Sequence, residues 1–220
     1  MIIARNIIDP VFPCLGASED PSHALQLMDE FHVAHLPIVE NGKYVGIASE
    51  TAMLSATDVI SSESFSYGNL IQGRVLANEH ILDVLRVASE FHLTVVPVVD
   101  AESNYIGAIT LEDLVEKLSQ MQGATRKGGI IVLEMNEIDY SLQQIARIVE
   151  ENDAKILSTS VSPGDDGKIE VNLKISEPDV NAILQSFGRF GFDIKASYQE
   201  PEYTEDMKKR YEELMRYLNI

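Results

Sequence analysis

The 220-residue sequence predicts an α+β protein: two small α/β units packed as a pair, then a βαββαβ domain and a C-terminal helix. Three observations predict it. EFHVAHLPIV (Glu30–Val39) returns sixty residues later as EFHLTVVPVV (Glu90–Val99), with five of ten positions identical. Around each copy the pattern reads helix, strand, strand, helix. Beyond a polar, glycine-bearing stretch the order changes to β-α-β-β-α-β over residues 130–200.

The elements follow in order. HALQLMDEFH (His23–His32) aligns with DVLRVASEFH (Asp83–His92), and apolar residues three and four apart give each a helix with a broad buried face. Phe31 and Phe91 fall on that stripe and are expected in the core. His32 and His92 are expected in the last helical turn, facing free carbonyls at the negative dipole end rather than a metal. LPIVENGKYVGIA then aligns with VPVVDAESNYIGAI, each a strand, a polar turn and a second strand. Asn41-Gly42 is a strong hairpin signal, because both residues tolerate positive φ. Pro37 and Pro97 lack a ladder donor and mark an edge or a close backbone approach. A helix follows each hairpin, TAMLSATDVI and LEDLVEKLSQ. Each unit, about 1–60 and 61–122, has one apolar sheet face to hide, and two copies can cover each other.

Residues 123–129 close a polar, locally basic stretch that reads as a linker. In the second domain, 130–200, GIIVLEM is a strand, and Leu142, Ile145, Ala146 and Val149 form a helical stripe. AKILSTSV turns at Pro163-Gly164-Asp165-Asp166-Gly167 into KIEVNLKI, which alternates cleanly. That turn lacks the ligand positions of a calcium loop. Ser176 and Asp179 with Pro178 are expected to open a second helix, and FDIKASY is the last strand. Met207, Tyr211, Leu214, Met215 and Leu218 make one stripe of a helix over 203–219.

The net charge is −18. Such a surface repels nucleic-acid phosphates and anionic membranes, so neither is an expected partner. No apolar run reaches the roughly 20 residues of a bilayer span, and the N-terminus does not read as a signal peptide. Cys14 is the only cysteine, which excludes an intrachain disulfide and a Cys-cluster zinc site. A cytoplasmic setting is expected. No Ser/His/Asp or Cys/His motif, phosphate-binding glycine loop or metal cluster is present in the pattern, so an enzyme is not expected.

The copies disagree after the hairpin. Copy two reads Gly107-x-x-Thr110-x-x-Asp113; copy one keeps Gly46 and Ser49 but has Ala52 at the last position. A carboxylate can accept two hydrogen bonds from a vicinal diol, and a helix N-terminus beside it favours phosphate. Thr110 and Asp113 equally fit a capping box, and binding and capping can coexist. Up to Arg126 there are six Lys/Arg (Arg5, Lys43, Arg74, Arg86, Lys117, Arg126) against seventeen Asp/Glu, a net −11. That shortage favours a monophosphate, an uncharged adenosyl group or a magnesium-bound nucleotide over bare polyphosphate.

The doubled unit, with PVVDAESNYIGAITLED above all, resembles a tandem pair of CBS domains over residues 1–122. The resemblance implies a regulatory pair that binds an adenosyl compound, AMP, ADP, ATP or S-adenosylmethionine, in a cleft between the units, with no cofactor required. It implies Thr110 and Asp113 at the ribose hydroxyls, and apolar and backbone contacts to the base from Val95, Val96 and Pro97. Ser49 is the counterpart in the weaker copy. The second domain resembles an ACT domain, a family that often binds amino acids and dimerises through its sheet edge. It departs from that family's Asp-x-x-Gly loop, because Asp139 is followed by Leu142 and not glycine, which favours packing or dimerisation there. The whole order is similar to small bacterial regulatory proteins of the acetoin-utilisation accessory type. A homodimeric ligand sensor acting on an unidentified partner protein is expected, with an interaction scaffold that keeps a vestigial pocket as the alternative.

Overall fold

The computed structural model describes residues 2–59, 70–199, 210, 213, 216 and 217. The chain divides into two compact units, Met1–Lys117 and Leu118–Ile220.

In the first unit, helix α1 (Pro21–Glu30) precedes strands β1 (His35–Glu40) and β2 (Lys43–Ser49) and helix α2 (Glu50–Val59). The second copy adds β3 (Val75–Leu76), α3 (Ile81–Glu90), β4 (Val95–Val99), β5 (Tyr105–Thr110) and α4 (Leu111–Met121). Asp20 caps α1 by accepting from Ser22 N at 2.7 Å, with Pro21 at the first helical position. His80 caps α3, accepting from Leu82 N, while Asp83 accepts from His80 N. Asn41 (φ 50°) and Gly42 (φ 78°) make the β1–β2 turn in the left-handed region that their side chains permit.

Both helix ends differ from the sequence expectation. α1 and α3 stop at Glu30 and Glu90, so His32 and His92 stand beyond the last turn, in left-handed conformations (φ 52° and 53°). Val33 N reaches Met28 O and Leu93 N reaches Ala88 O, both at 2.9 Å, which closes each helix with a Schellman bond. The early stop turns Phe31 and Phe91 off the buried stripe. They are 41% and 37% exposed, and Phe31 packs edge-on against Phe12 at 5.6 Å.

The two copies exchange their lead-in segments. Leu15 pairs parallel to Ile38 in its own copy, as β3 pairs with Val98 and Val99 of β4. Upstream, Asp9 bridges Ala108 of copy two, and Ile71 bridges Ile47 of copy one. The crossings explain two glycines. A Cβ on Gly107 would lie 2.7 Å from Asp9 O, and one on Gly46 would lie 2.6 Å from Leu70 Cβ. Pro97 sits in the middle strand but just outside the short β3 pairing; Pro37 offers its carbonyl to Leu15 N at 2.8 Å. One core gathers Phe12, Leu15, Leu36 and Ile38 with Val95 and Ala108 of the other copy.

The second unit runs β6 (Ile130–Met135), α5 (Leu142–Glu150), β7 (Ile156–Pro163), β8 (Ile169–Ile175), α6 (Asn181–Arg189) and β9 (Asp193–Tyr198). Its antiparallel sheet has the order β7-β8-β6-β9, the ferredoxin-like arrangement. Alternation places Ile131, Leu133, Val171, Leu173 and Ile175 in one core with Ile145, Ile148, Ile183 and Phe187 of the helices. The turn into β8 uses Asp166 (φ 55°) and Gly167 (φ 78°), and Asp165 bonds Lys195. Ser176 does not cap α6: it accepts from Lys155 N, and Asp179 accepts from Asn181 N just before the helix. The expected C-terminal helix, 203–219, lies outside the described residues except for Arg210, Glu213, Arg216 and Tyr217, which are helical.

Candidate functional site

Thr110 ends β5, and α4 begins at the next residue. Its hydroxyl donates to Asp113 Oδ2 at 2.7 Å and accepts from Asp113 N at 3.1 Å. Both halves of that reciprocal bond are made inside one helical turn, so Asp113 Oδ2 is held in place by the chain itself. Val95 lies directly across the ladder from Thr110, and Leu111 N bonds Thr94 O at 3.1 Å. Val95, Val96 and Pro97 are buried. Copy one repeats the frame with weaker chemistry. Ser49 accepts from Ala52 N at 3.3 Å, faces His35 across the β1–β2 ladder, and Glu50 N bonds Ala34 O. Ala52 brings no carboxylate.

The starts of β1 and β4 meet at a polar seam. Thr94 Oγ1 accepts from Ala34 N at 3.0 Å and lies 3.1 Å from His35 Nδ1. Thr94 N donates to the same Nδ1 at 3.2 Å. A ring nitrogen that accepts a backbone N–H carries no proton, so His35 is neutral here with its hydrogen on Nε2. Burial holds its pKa below the ordinary histidine value, and the Glu50 carboxylate partly opposes that. The ladders thus set Ser49 and Thr110 on the two sides of one His35–Thr94 contact. Ala34, His35 and Thr94 were not singled out from the sequence. Their signal is positional: they stand two or three residues ahead of the strand prolines in both copies.

The local charge is acidic. Glu112 and Asp113 occupy the first turn of α4, and Glu50 that of α2. Of the six cations up to Arg126, four are engaged. Lys43 bonds Glu102 O at 2.6 Å, Arg74 lies 5.9 Å from the Tyr44 ring centre, Arg86 pairs with Glu90, and Lys117 with Glu116. Arg5 lines a cavity of about 300 Å³ at the Val99 end of β4, away from Val95. Cavities of about 330 and 440 Å³ open in the second unit. Among the described residues, none of the three is lined by Thr110 or Asp113. No group of three His, Cys, Asp or Glu side chains among them is placed to hold a metal ion, and no helix is long and apolar enough to cross a membrane.

The CBS domain family model matches residues 4–58 and 74–120. Residues 4–120 therefore hold a tandem pair of CBS domains. The two matches carry the two caps, the two strand prolines and both sides of the seam. The CBS pair is similar to several solved structures. Hypoxic Response Protein I, crystallised with two coordinated zinc ions, is 26% identical, with a TM-score of 0.45 over 52% of this chain and 97% of that one. A CBS domain pair/ACT domain protein from Thermotoga maritima is 20% identical, with a TM-score of 0.47 over 54% of this chain and 98% of that one. CBSX2, known from Arabidopsis thaliana and solved in complex with AMP, is 23% identical, with a TM-score of 0.46 over 55% and 98%.

Proposed function

We propose that the protein is a non-enzymatic, cytoplasmic sensor whose CBS pair binds an adenosyl compound beside Asp113. One observation carries this reading: a carboxylate, fixed by Thr110, sits at a helix N-terminus next to the seam between two CBS domains. Asp113 Oδ1 has no hydrogen-bond partner among the described residues, so a ribose diol can be received without breaking the cap. Val95, Val96 and Pro97 supply apolar and backbone surface for the base. The acidic surroundings favour AMP, S-adenosylmethionine or a magnesium-bound nucleotide over free ATP. Copy one, with Ser49 and Ala52, adds at most polar support.

The seam supplies a physical form for the signal. A ligand that wedges between the copies must part the His35–Thr94 contact, and so prefers one arrangement of the pair. The second domain, read as ACT-like, or a partner protein receives that change. A homodimer fits the exposed apolar residues of α3 and α4, Leu82, Leu85, Leu111 and Val115.

A second reading has its own observation. The Thr110 hydroxyl already caps the helix by accepting from Asp113 N and donates to the Asp113 carboxylate, so the motif can persist without a ligand, in a dimeric scaffold. Calorimetric titration with AMP and S-adenosylmethionine separates the two. The sensor binds one of them and loses it on Asp113→Ala; the scaffold binds neither.

A further inference from the structure

The second unit contains a cavity of about 330 Å³ where β6 runs into the turn before α5. Its size is at the small end of ligand pockets. Part of its lining is apolar. Met135 and Phe192 pack against the core, and Phe192 is fixed edge-on to Phe187 at 5.4 Å. Phe190 lines the same cavity yet stays 54% exposed, an aromatic face that no element among the described residues covers.

The charged part of the lining is net anionic. Lys168 is the one ammonium in the lining among the described residues, and it already pairs with Glu134 Oε2 at 2.8 Å. Lys195 takes Glu134 Oε1 at 3.2 Å, so that carboxylate is matched twice. Asp139 and Asp193, both exposed, also line the cavity, and neither forms an ion pair with a cation among the described residues. Asp139 receives only the neutral Asn136 amide at 2.9 Å.

These groups select against an anion. A ligand carboxylate would face Asp139 and Asp193 with no unpaired cation in the lining among the described residues to receive it. The loop offers little backbone help, since Asn136–Ser141 contains no glycine, and Asp139 N and Tyr140 N are spent on Asn136 O and Glu137 O. A cation with an apolar body meets the reverse: two carboxylates for its charge, and two aromatic rings and a thioether for its body.

We propose that this cavity binds an organic ammonium without a carboxylate, held by Asp139 and Asp193 and covered by Met135, Phe190 and Phe192. This is a second ligand class for the chain, independent of the adenosyl reading.

Phenethylamine and L-phenylalanine differ only by the carboxylate, so titrating each into the full chain by calorimetry tests the selection. The amine should bind at least tenfold tighter than the amino acid. Asp139→Asn with Asp193→Asn should weaken amine binding tenfold or more, since a charged hydrogen bond is worth roughly that factor. Both positions are exposed, so the melting temperature should stay unchanged. Should the double variant misfold, Phe190→Ala carries the test of location. Equal or tighter binding of the amino acid, no heat from millimolar amine, or an amine affinity untouched by the variants would each overturn the proposal.

Discussion

Tyr44 and Tyr105 occupy matching positions in the two CBS copies and meet opposite circumstances. The Tyr44 hydroxyl donates to Gly73 O at 2.9 Å, in the lead-in of the other copy. The Tyr105 hydroxyl is buried with no hydrogen-bond partner. Burial raises both phenol pKa values; Arg74 opposes the rise at Tyr44, whereas Cys14 and Asp9 add to it at Tyr105. Tyr44→Phe should therefore cost about 1 kcal/mol, and Tyr105→Phe should be neutral or stabilising by a similar amount. Urea unfolding of the two variants beside the parent reads the difference in sign. His35 gives the pH dependence. Its folded pKa is lowered, so the unfolded chain takes up a proton first as pH falls through about 6.5. Its contribution is complete above that value and declines below it. Unfolding midpoints should fall between pH 7.5 and 5.5, and less steeply in His35→Asn; identical slopes would remove His35 from the account.

At the scale of elements, the repeat, the helices and the Asn41-Gly42 turn were legible because each rests on local chemistry: a period, a cap, a tolerated φ. What was not legible arose from contacts between segments far apart. The lead-in exchange is made by single bridges at Asp9–Ala108 and Ile71–Ile47, too short to leave a periodic trace. The helix ends misled for a related reason. A left-handed closing residue is usually glycine, and here His32 and His92 fill that place, so the apolar period runs on past the helix end through Phe31 and Phe91. The caps of α3 and α6 likewise fell to residues with no standing signal, His80 and Val180. At the site, Thr110 and Asp113 could be named from spacing alone, but the seam partner His35 could not. The crossing also yields a test. Gly107→Ala would force a Cβ to within 2.7 Å of Asp9 O at φ 154° and should cost more than about 3 kcal/mol. Gly167→Ala, at φ 78° but in open space, should cost about 1 kcal/mol. Equal losses in thermal unfolding would mean that the lead-in does not cross there.

At the scale of the whole molecule, the proposed role of this acidic chain is to sense a ligand through its CBS pair. Its proposed self-association rests on Leu82 (55% exposed), Val115 (63% exposed) and their neighbours on α3 and α4. Val115→Lys should convert a dimer to monomer in light scattering, while a dimer that survives would move the interface elsewhere. The most direct measurement is a thermal melt of the full chain against AMP, ADP, ATP with and without magnesium, and S-adenosylmethionine, each beside Asp113→Ala. Ligand at 100 times its dissociation constant adds about 2.7 kcal/mol, a shift of several degrees. The variant alone should melt slightly lower, by the roughly 1 kcal/mol of the lost Thr110–carboxylate hydrogen bond and first-turn charge. The account predicts a shift from one adenosyl compound that vanishes in Asp113→Ala. A panel without any shift, or a shift the variant keeps, would contradict it and leave Thr110 and Asp113 as a helix cap.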